Sequence, residues 1–241
     1  MNFYKDKIIF TGGSGRFGKL FQKKYNLKNI IYPSRKQMDI ENYKSVKNFL
    51  KKNKPKIVIH AAALSRPMIL HEKKPEQSIK TNIIGTSNLV IAAKNLDIKI
   101  IYFSTNYVYP LNNRSNEEKD PVMPINNYAF SKMGGECAVH MYKNSLILRI
   151  FMSERPFAYS QAYSDIKANF LYHDEVITII PKIINLSGIY NLGGKIQSIY
   201  EFAKKTRNDV KKISAKKILK KKYYKNQIIS IKKIQSKIKF L

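Results

Sequence analysis

Lys7-Ile-Ile-Phe-Thr-Gly-Gly-Ser-Gly-Arg-Phe-Gly18 stands almost at the head of the chain and decides how the rest is read. Lys7–Thr11 reads as a short buried strand. Gly12, Gly15 and Gly18 follow at GxxGxxG spacing, and a helix is expected from Gly15 to about Tyr25. Each glycine has a physical reason. Gly12 permits a tight turn, Gly15 lets a diphosphate approach the backbone, and Gly18 lets the helix lie close to the sheet. The free N–H groups of the helix start then face an anion. The stretch predicts a dinucleotide cradle of Gly12, Ser14, Gly15, Arg16, Phe17 and Gly18.

Outward from this turn, short β-branched runs alternate with amphipathic stretches, as in parallel βα units. Strands are expected at 29–33, 56–60, 98–104 and 145–151, with a shorter one at 189–192. Helices are expected at 42–53, 75–96, 128–142 and 198–206, with Pro75 suited to a first turn. The runs 57–60, 98–103 and 145–151 are apolar on both faces, which suits strands buried in a parallel sheet. The fold class is therefore α/β, with a doubly wound parallel sheet. Residues 1–151 are expected to form the dinucleotide-binding domain, and 152–241 a compact substrate region interleaved with it. The Lys/Ile alternation at 228–240 fits a helix or an edge strand equally.

Composition sets limits. At 241 residues the chain supports one sizeable core. It has no apolar run long enough to span a membrane and no secretory signal pattern at its start. One cysteine, Cys137, allows no internal disulfide and suits a reducing cytosol, so a cytoplasmic protein is expected. Its position within the 128–142 helix predicts core packing. The net charge of +29 accompanies heavy use of Lys, Ile and Asn, the mark of A- and T-rich codons. The charge is read as a solvated surface that steers anionic substrates, and this argues against a nucleic-acid partner. Only 195–239 is dense, with sixteen Lys or Arg residues. His60, His71, His140 and His173 lack metal-ligand spacing, so no metal is expected.

The chemistry-bearing pair is Tyr128 and Lys132, four apart in Tyr-Ala-Phe-Ser-Lys and hence on one helix face. A phenol ionises at about 10, and a neighbouring ammonium is expected to lower that value. Tyr128 would then exchange a proton with a carbonyl or alcohol oxygen, and Lys132 would bind the nicotinamide ribose. A hydroxyl at the end of the 98–104 strand, Ser104 or Thr105, would bond the same oxygen. After the second strand comes Tyr32-Pro33-Ser34-Arg35, with no acid to take ribose hydroxyls. Ser34 and Arg35 could hold a 2′-phosphate by charge-assisted bonds, which favours NADP over NAD. Asp39 and Ile40 would border the adenine.

Six segments together resemble the extended short-chain dehydrogenase/reductases, most of all the dTDP-4-dehydrorhamnose reductase-like group. They are 11–18, His60-Ala-Ala-Ala63, Asn82-Ile-Ile-Gly-Thr86, Tyr102-Phe-Ser-Thr-Asn-Tyr-Val-Tyr109, Tyr128-Ala-Phe-Ser-Lys-Met-Gly-Gly-Glu136 and Gly188-Ile-Tyr-Asn-Leu-Gly-Gly194. The resemblance implies a Rossmann fold, an NADP or NAD cofactor and a nucleotide-sugar substrate. It assigns catalysis to Thr105, Tyr128 and Lys132, with Ser104 beside the cofactor. Ala61, Ala62 and Ala63 would line the cofactor, and Asn82 would help order the site. It implies an NADP(H)-dependent reductase of a nucleotide-activated keto-deoxysugar. An epimerase with tightly held NAD and a non-catalytic dinucleotide-binding subunit stay open, as does a homodimer. Asn106 stands where the group usually has Asp. Asn106-Tyr107 cannot supply the acid and base of the group's dehydratases. Asp174 and Glu175 are expected to be structural.

Overall fold

The computed structural model describes residues 1–219 and 226–238. A six-stranded parallel sheet forms its centre. The first half runs β1 (Ile8–Thr11), α1 (Arg16–Lys24), β2 (Ile30–Ile31), α2 (Tyr43–Asn53) and β3 (Ile57–His60). Next come α3 (Ile69–Lys73), α4 (Pro75–Ser78), a π-helical turn (Ile79–Ile84), α5 (Gly85–Lys94), β4 (Lys99–Thr105), α6 (Asn127–His140) and β5 (Ser145–Ile150). The later part holds β6 (Met152–Ser153), β7 (Gln161–Tyr163), β8 (Lys167–Ala168), β9 (Leu171–Tyr172), α7 (His173–Ile183) and β10 (Gly188–Leu192). It ends with β11 (Gln197–Ser198), α8 (Ile199–Lys204), β12 (Lys211–Ile213), α9 (Ala215–Leu219), β13 (Asn226–Gln227) and α10 (Lys232–Gln235).

The sheet order is β10-β5-β4-β3-β1-β2. The chain leaves β1 in one direction to β2 and then crosses back to β3. The strand order therefore reverses between β1 and β3, and a crevice opens at their carboxyl ends. Alternation along the strands divides the core into two layers. Ile8 and Phe10 pack with Phe17 and Phe21 of α1 and with Val176 and Ile180 of α7. Ile9, Val58 and Ile100 face the other way, onto Val46 and Leu50 of α2, Leu89 and Ala93 of α5, and Val139 of α6. Each such buried aliphatic side chain contributes about 1.5–3 kcal/mol.

Several expectations are corrected. The expected helix at 75–96 is interrupted: Pro75 does open a helix, but 79–84 widens into a π turn and the helix ends at Lys94. The second strand is only two residues long. Cys137 is exposed on α6 rather than buried. The sequence reading missed α7, whose apolar residues crowd around an internal Pro181. Glu175 accepts a 2.6 Å bond from the Tyr172 amide at the start of α7, and Asp174 pairs with Arg155 at 3.2 Å. In the 228–240 stretch, Ile229 bridges to Asn116, and α10 buries Ile234 against the first core layer. Residues 239–241 lie outside the described residues. Among the described residues, no helix is long and apolar enough to cross a membrane.

Candidate active site

The glycine turn closes tightly on the neighbouring strand. Gly12 has a φ of +77°, and a Cβ there would stand 2.7 Å from the Ala62 nitrogen and 2.9 Å from the Ala61 carbonyl carbon. A Cβ at Gly18 would overlap the Gly12 carbonyl oxygen and lie 2.7 Å from the Gly13 Cα. Helix α1 can thus start against the β1 and β3 ends only because these positions lack side chains. The exposed Ser14, Gly15 and Arg16 stand at the rim of this turn. Phe17 does not: its ring is buried, 5.1 Å from Phe103 and 5.4 Å from His173 between centroids, so only its backbone can serve a ligand.

A buried hydrogen-bond chain fixes the two strand ends together. The Thr86 hydroxyl donates to the Asn82 carbonyl at 2.7 Å, so it accepts from His60 Nε2 at 3.0 Å. His60 Nδ1 then accepts from the Thr11 hydroxyl at 2.8 Å, while Thr11 accepts from the Ala62 amide at 3.1 Å. Each group has one role, and the chain requires a neutral imidazole. Burial, reinforced by Lys132, lowers the His60 pKa to about 3, in agreement. Asn82 has a related task. It donates to the Leu64 carbonyl at 2.9 Å and to Ser131 Oγ at 2.8 Å, and accepts from the Leu64 amide at 2.8 Å. Both its amide hydrogens are engaged within the protein. It ties the segment after Ala61–Ala63 to the Tyr128 helix, from a π turn of the kind that often marks a functional site.

Helix α6 presents Tyr128 and Lys132 beside the end of β4. Its Asn126 cap accepts from the Ala129 amide at 2.8 Å. Gly135 lets it approach closely: a Cβ there would lie 2.6 Å from the Asn82 carbonyl oxygen and 2.7 Å from the Tyr102 hydroxyl. The half-buried Tyr128 ring sits 5.1 Å from the ring of His71 and 6.5 Å from that of Tyr107. The expected lowering of its pKa is corrected. Burial dominates and pushes Tyr128 up to about 12, while Arg66 and a hydrogen bond from the Thr105 side chain pull weakly the other way. Lys132 is 4% exposed, with Nζ over the Tyr102 ring at 4.2 Å. Desolvation lowers its pKa to about 7 against the raising effect of Glu136, so it is a weaker cation than the sequence reading assumed.

Ser104 and Thr105 are separated in role. The Ser104 hydroxyl donates to Glu136 at 2.5 Å, inside a buried network. Glu136 also accepts from Arg149 Nη2 at 2.6 Å and Nε at 3.0 Å. Arg149 donates in turn to the Tyr109 hydroxyl at 2.9 Å. Thr105, at the end of β4, is the hydroxyl directed to Tyr128. The sequence reading did not single out this network. A lone arginine inside the apolar Leu146-Ile-Leu-Arg-Ile150 strand was its visible sign.

At the far edge, the highly exposed Arg35 pairs with Glu41 at 3.0 Å and Asp39 at 3.6 Å. Ser34 Oγ donates to Gln37 at 3.0 Å. Ile40 is buried in the second core layer, and Gly85 packs against it. Two further charged residues escaped the sequence reading, Arg66 and Glu154, joined at 2.7 Å, with Arg16 also reaching Glu154 at 3.1 Å. Among the described residues, no cluster of three or more metal-ligating side chains occurs.

Comparison with known proteins agrees with this fold. The family model described as RmlD substrate binding domain matches residues 6–161. A dTDP-4-dehydrorhamnose reductase from Bacillus anthracis, solved with NADP, superposes with a TM-score of 0.84 at 25% identity, over 98% of this chain and 94% of that one. A dTDP-D-glucose 4,6-dehydratase from Dictyostelium discoideum is 30% identical over 84% of this chain and 52% of its own length. Methionine adenosyltransferase 2 subunit beta from Pongo abelii is 26% identical over 58% of this chain and 44% of its own. The chain thus spans about half the length of the curated relatives it matches.

Proposed function

Because the chain belongs to the RmlD substrate-binding-domain family of the extended short-chain dehydrogenase/reductases, we propose that it is an NADP(H)-dependent reductase of a nucleotide-activated keto-deoxysugar. The glycine turn fits a dinucleotide, since Gly12 and Gly18 keep open a cradle that a Cβ would fill. A bound dihydronicotinamide supplies the hydride for the carbonyl carbon. Tyr128 hydrogen-bonds the carbonyl oxygen and releases its phenolic proton to the oxygen as negative charge develops there. Thr105 shares that oxygen, and Lys132 holds the ribose. The observation that carries this reading is the glycine turn, where Gly12 and Gly18 admit no side chain, together with Tyr128 and Lys132 on one helix packed against β4. The Tyr128 phenol is protonated at neutral pH, as an unshifted phenol also is, so it has a proton to give. Ser34 and Arg35 are proposed to take a 2′-phosphate, and the segments 152–172 and 193–219 to contact the sugar nucleotide.

The dehydratase among the relatives does not extend the proposal to dehydration. After Thr105 this chain has Asn106 and Tyr107, neither of which can serve as a carboxyl acid or carboxylate base. Replacing Tyr128 by Phe should cut kcat by about 10²–10⁴-fold and leave NADPH affinity unchanged within threefold, measured by steady-state kinetics and calorimetry. Undiminished turnover in that variant removes Tyr128 as the proton donor.

A second reading, a dinucleotide-binding subunit without turnover of its own, is favoured by the match to a methionine adenosyltransferase subunit. It predicts NADPH binding with no reduction of any nucleotide keto-sugar, together with a stable complex with a separate enzyme.

A further inference from the structure

Glu154 follows β6 and reaches back across the cleft mouth to two guanidiniums from different parts of the chain. Arg16 is the first residue of α1, within the Gly12–Gly18 turn, and its Nε lies 3.1 Å from Glu154 Oε1. Arg66 lies in the segment after β3, and its Nη1 donates to the same Oε1 at 2.7 Å. The Arg66 guanidinium also covers the ring of Tyr159 at 5.2 Å. One carboxylate oxygen therefore holds together two cations that come from the carboxyl ends of β1 and β3, the strands that flank the crevice. Arg66 is also felt at the reacting end, where burial raises the pKa of Tyr128 and Tyr107 and the Arg66 charge opposes part of that rise.

From this arrangement we infer that Arg16 and Arg66 form a two-guanidinium seat for a diphosphate, and that Glu154 is an internal stand-in which the diphosphate displaces. The chemistry favours exchange. The three side chains are 52%, 29% and 26% exposed in the order Arg16, Arg66, Glu154, and solvent-exposed carboxylate–guanidinium pairs are weak. A diphosphate brings more charge and pairs with arginine in a bidentate manner. The start of α1 adds free N–H groups on the same side. A further polar atom waits nearby. His173 is 92% buried, being 8% exposed, and among the described residues its Nδ1 has no partner. Its ring packs edge-on against Phe17, and the charges of Glu154, Arg66 and Arg16 all act on it.

The inference rests on the dinucleotide and nucleotide-sugar reading above, and two ligands carry the required group: the cofactor and the sugar nucleotide. Calorimetric titration of the full chain with NADPH and, separately, with thymidine diphosphate distinguishes them. Glu154→Gln should bind at least one of the two about fivefold or more tightly than the wild type, and Arg66→Gln should bind that same ligand at least tenfold more weakly. In Arg16→Gln/Glu154→Gln the gain should fall below twofold. The ligand that responds identifies the diphosphate taken, and thermal melts confirm that each variant is folded. Unchanged or weakened binding of both ligands by Glu154→Gln overturns the inference, since Glu154 is then a brace for the arginines and not a competitor. Failure of the wild type to bind either ligand overturns the proposed function and the seat together, whereas normal binding with no response to Glu154→Gln removes only the seat.

Discussion

Replacing Glu136 by Gln tests the buried charge network behind the reacting helix. Glu136 is 1% exposed and Arg149 4% exposed, and they meet through two bonds of 2.6 and 3.0 Å. The carboxylate also receives the Ser104 hydroxyl. The substitution keeps the shape but removes the charge, leaving the Arg149 guanidinium in the interior without a counter-ion. Breaking a buried pair from one side costs about 3–5 kcal/mol. At roughly 2–4 °C per kcal/mol for a chain of this size, the melting temperature should fall by about 6–20 °C. Removing both charges with Glu136→Leu/Arg149→Met should restore most of that loss, because no unpaired ion remains. Differential scanning calorimetry of the two variants and the wild type measures all three. The same substitution removes the field that raises the Lys132 pKa, so Lys132 should become neutral at a still lower pH. A melting temperature for Glu136→Gln within about 2 °C of the wild type refutes the assignment of this pair as a fixed interior charge.

Arg35→Ala should weaken NADPH about tenfold, the loss of one charge-assisted contact, and leave NADH affinity unchanged, read by fluorescence titration; equal losses for both cofactors exclude a 2′-phosphate role. Gly135→Ala places a methyl group 2.6 Å from the Asn82 carbonyl, so the urea midpoint should drop by the equivalent of about 1–3 kcal/mol. His60 and His173 are held neutral by burial down to about pH 3 and 4, while in the unfolded chain they take up protons below about 6.5. The unfolded state then binds more protons, so stability should decline steadily as pH falls from 6.5 towards 4. Lys132 works in the other window: it is neutral in the fold above about 7 and charged in the unfolded chain up to 10.5. Its contribution to stability should therefore rise with pH between those values, and urea titrations across pH 4–10 read both slopes.

Local pattern carried much of this fold. The strand at Ile8–Thr11, the turn at Gly12–Gly18 and the buried runs at 57–60, 99–105 and 145–150 were legible because parallel strands buried on both faces are apolar throughout. Helix α7 was not, because Val176, Ile177, Ile179 and Ile180 form a nearly continuous apolar run, and Pro181 argues against a helix on local grounds. The π turn at Ile79–Ile84 carries Asn82, whose bonds to Leu64 and Ser131 join distant segments that no local propensity records. Placement of the candidate site followed the same division. Tyr128 and Lys132 could be named from spacing and Thr105 from the family resemblance, but their electrostatics could not. Spacing puts an ammonium four residues from a phenol, and only three-dimensional burial shows that desolvation is the largest influence on both groups. Glu136, Arg149, Arg66 and Glu154 act across separations of 13 and 88 residues, which a reading along the chain does not connect.

The central claim is that Tyr128 and Thr105 face a carbonyl that receives hydride beside the Gly12–Gly18 turn. Incubation with NADPH deuterated at both C4 positions and nucleotide-linked 4-keto-6-deoxysugars, followed by mass spectrometry of the product, tests it directly. The account predicts one deuterium on the reduced carbon with the wild type, and the same product formed about 10²–10⁴-fold more slowly with Tyr128→Phe. Label that stays on the cofactor with every keto-sugar offered, while NADPH binds normally, contradicts it.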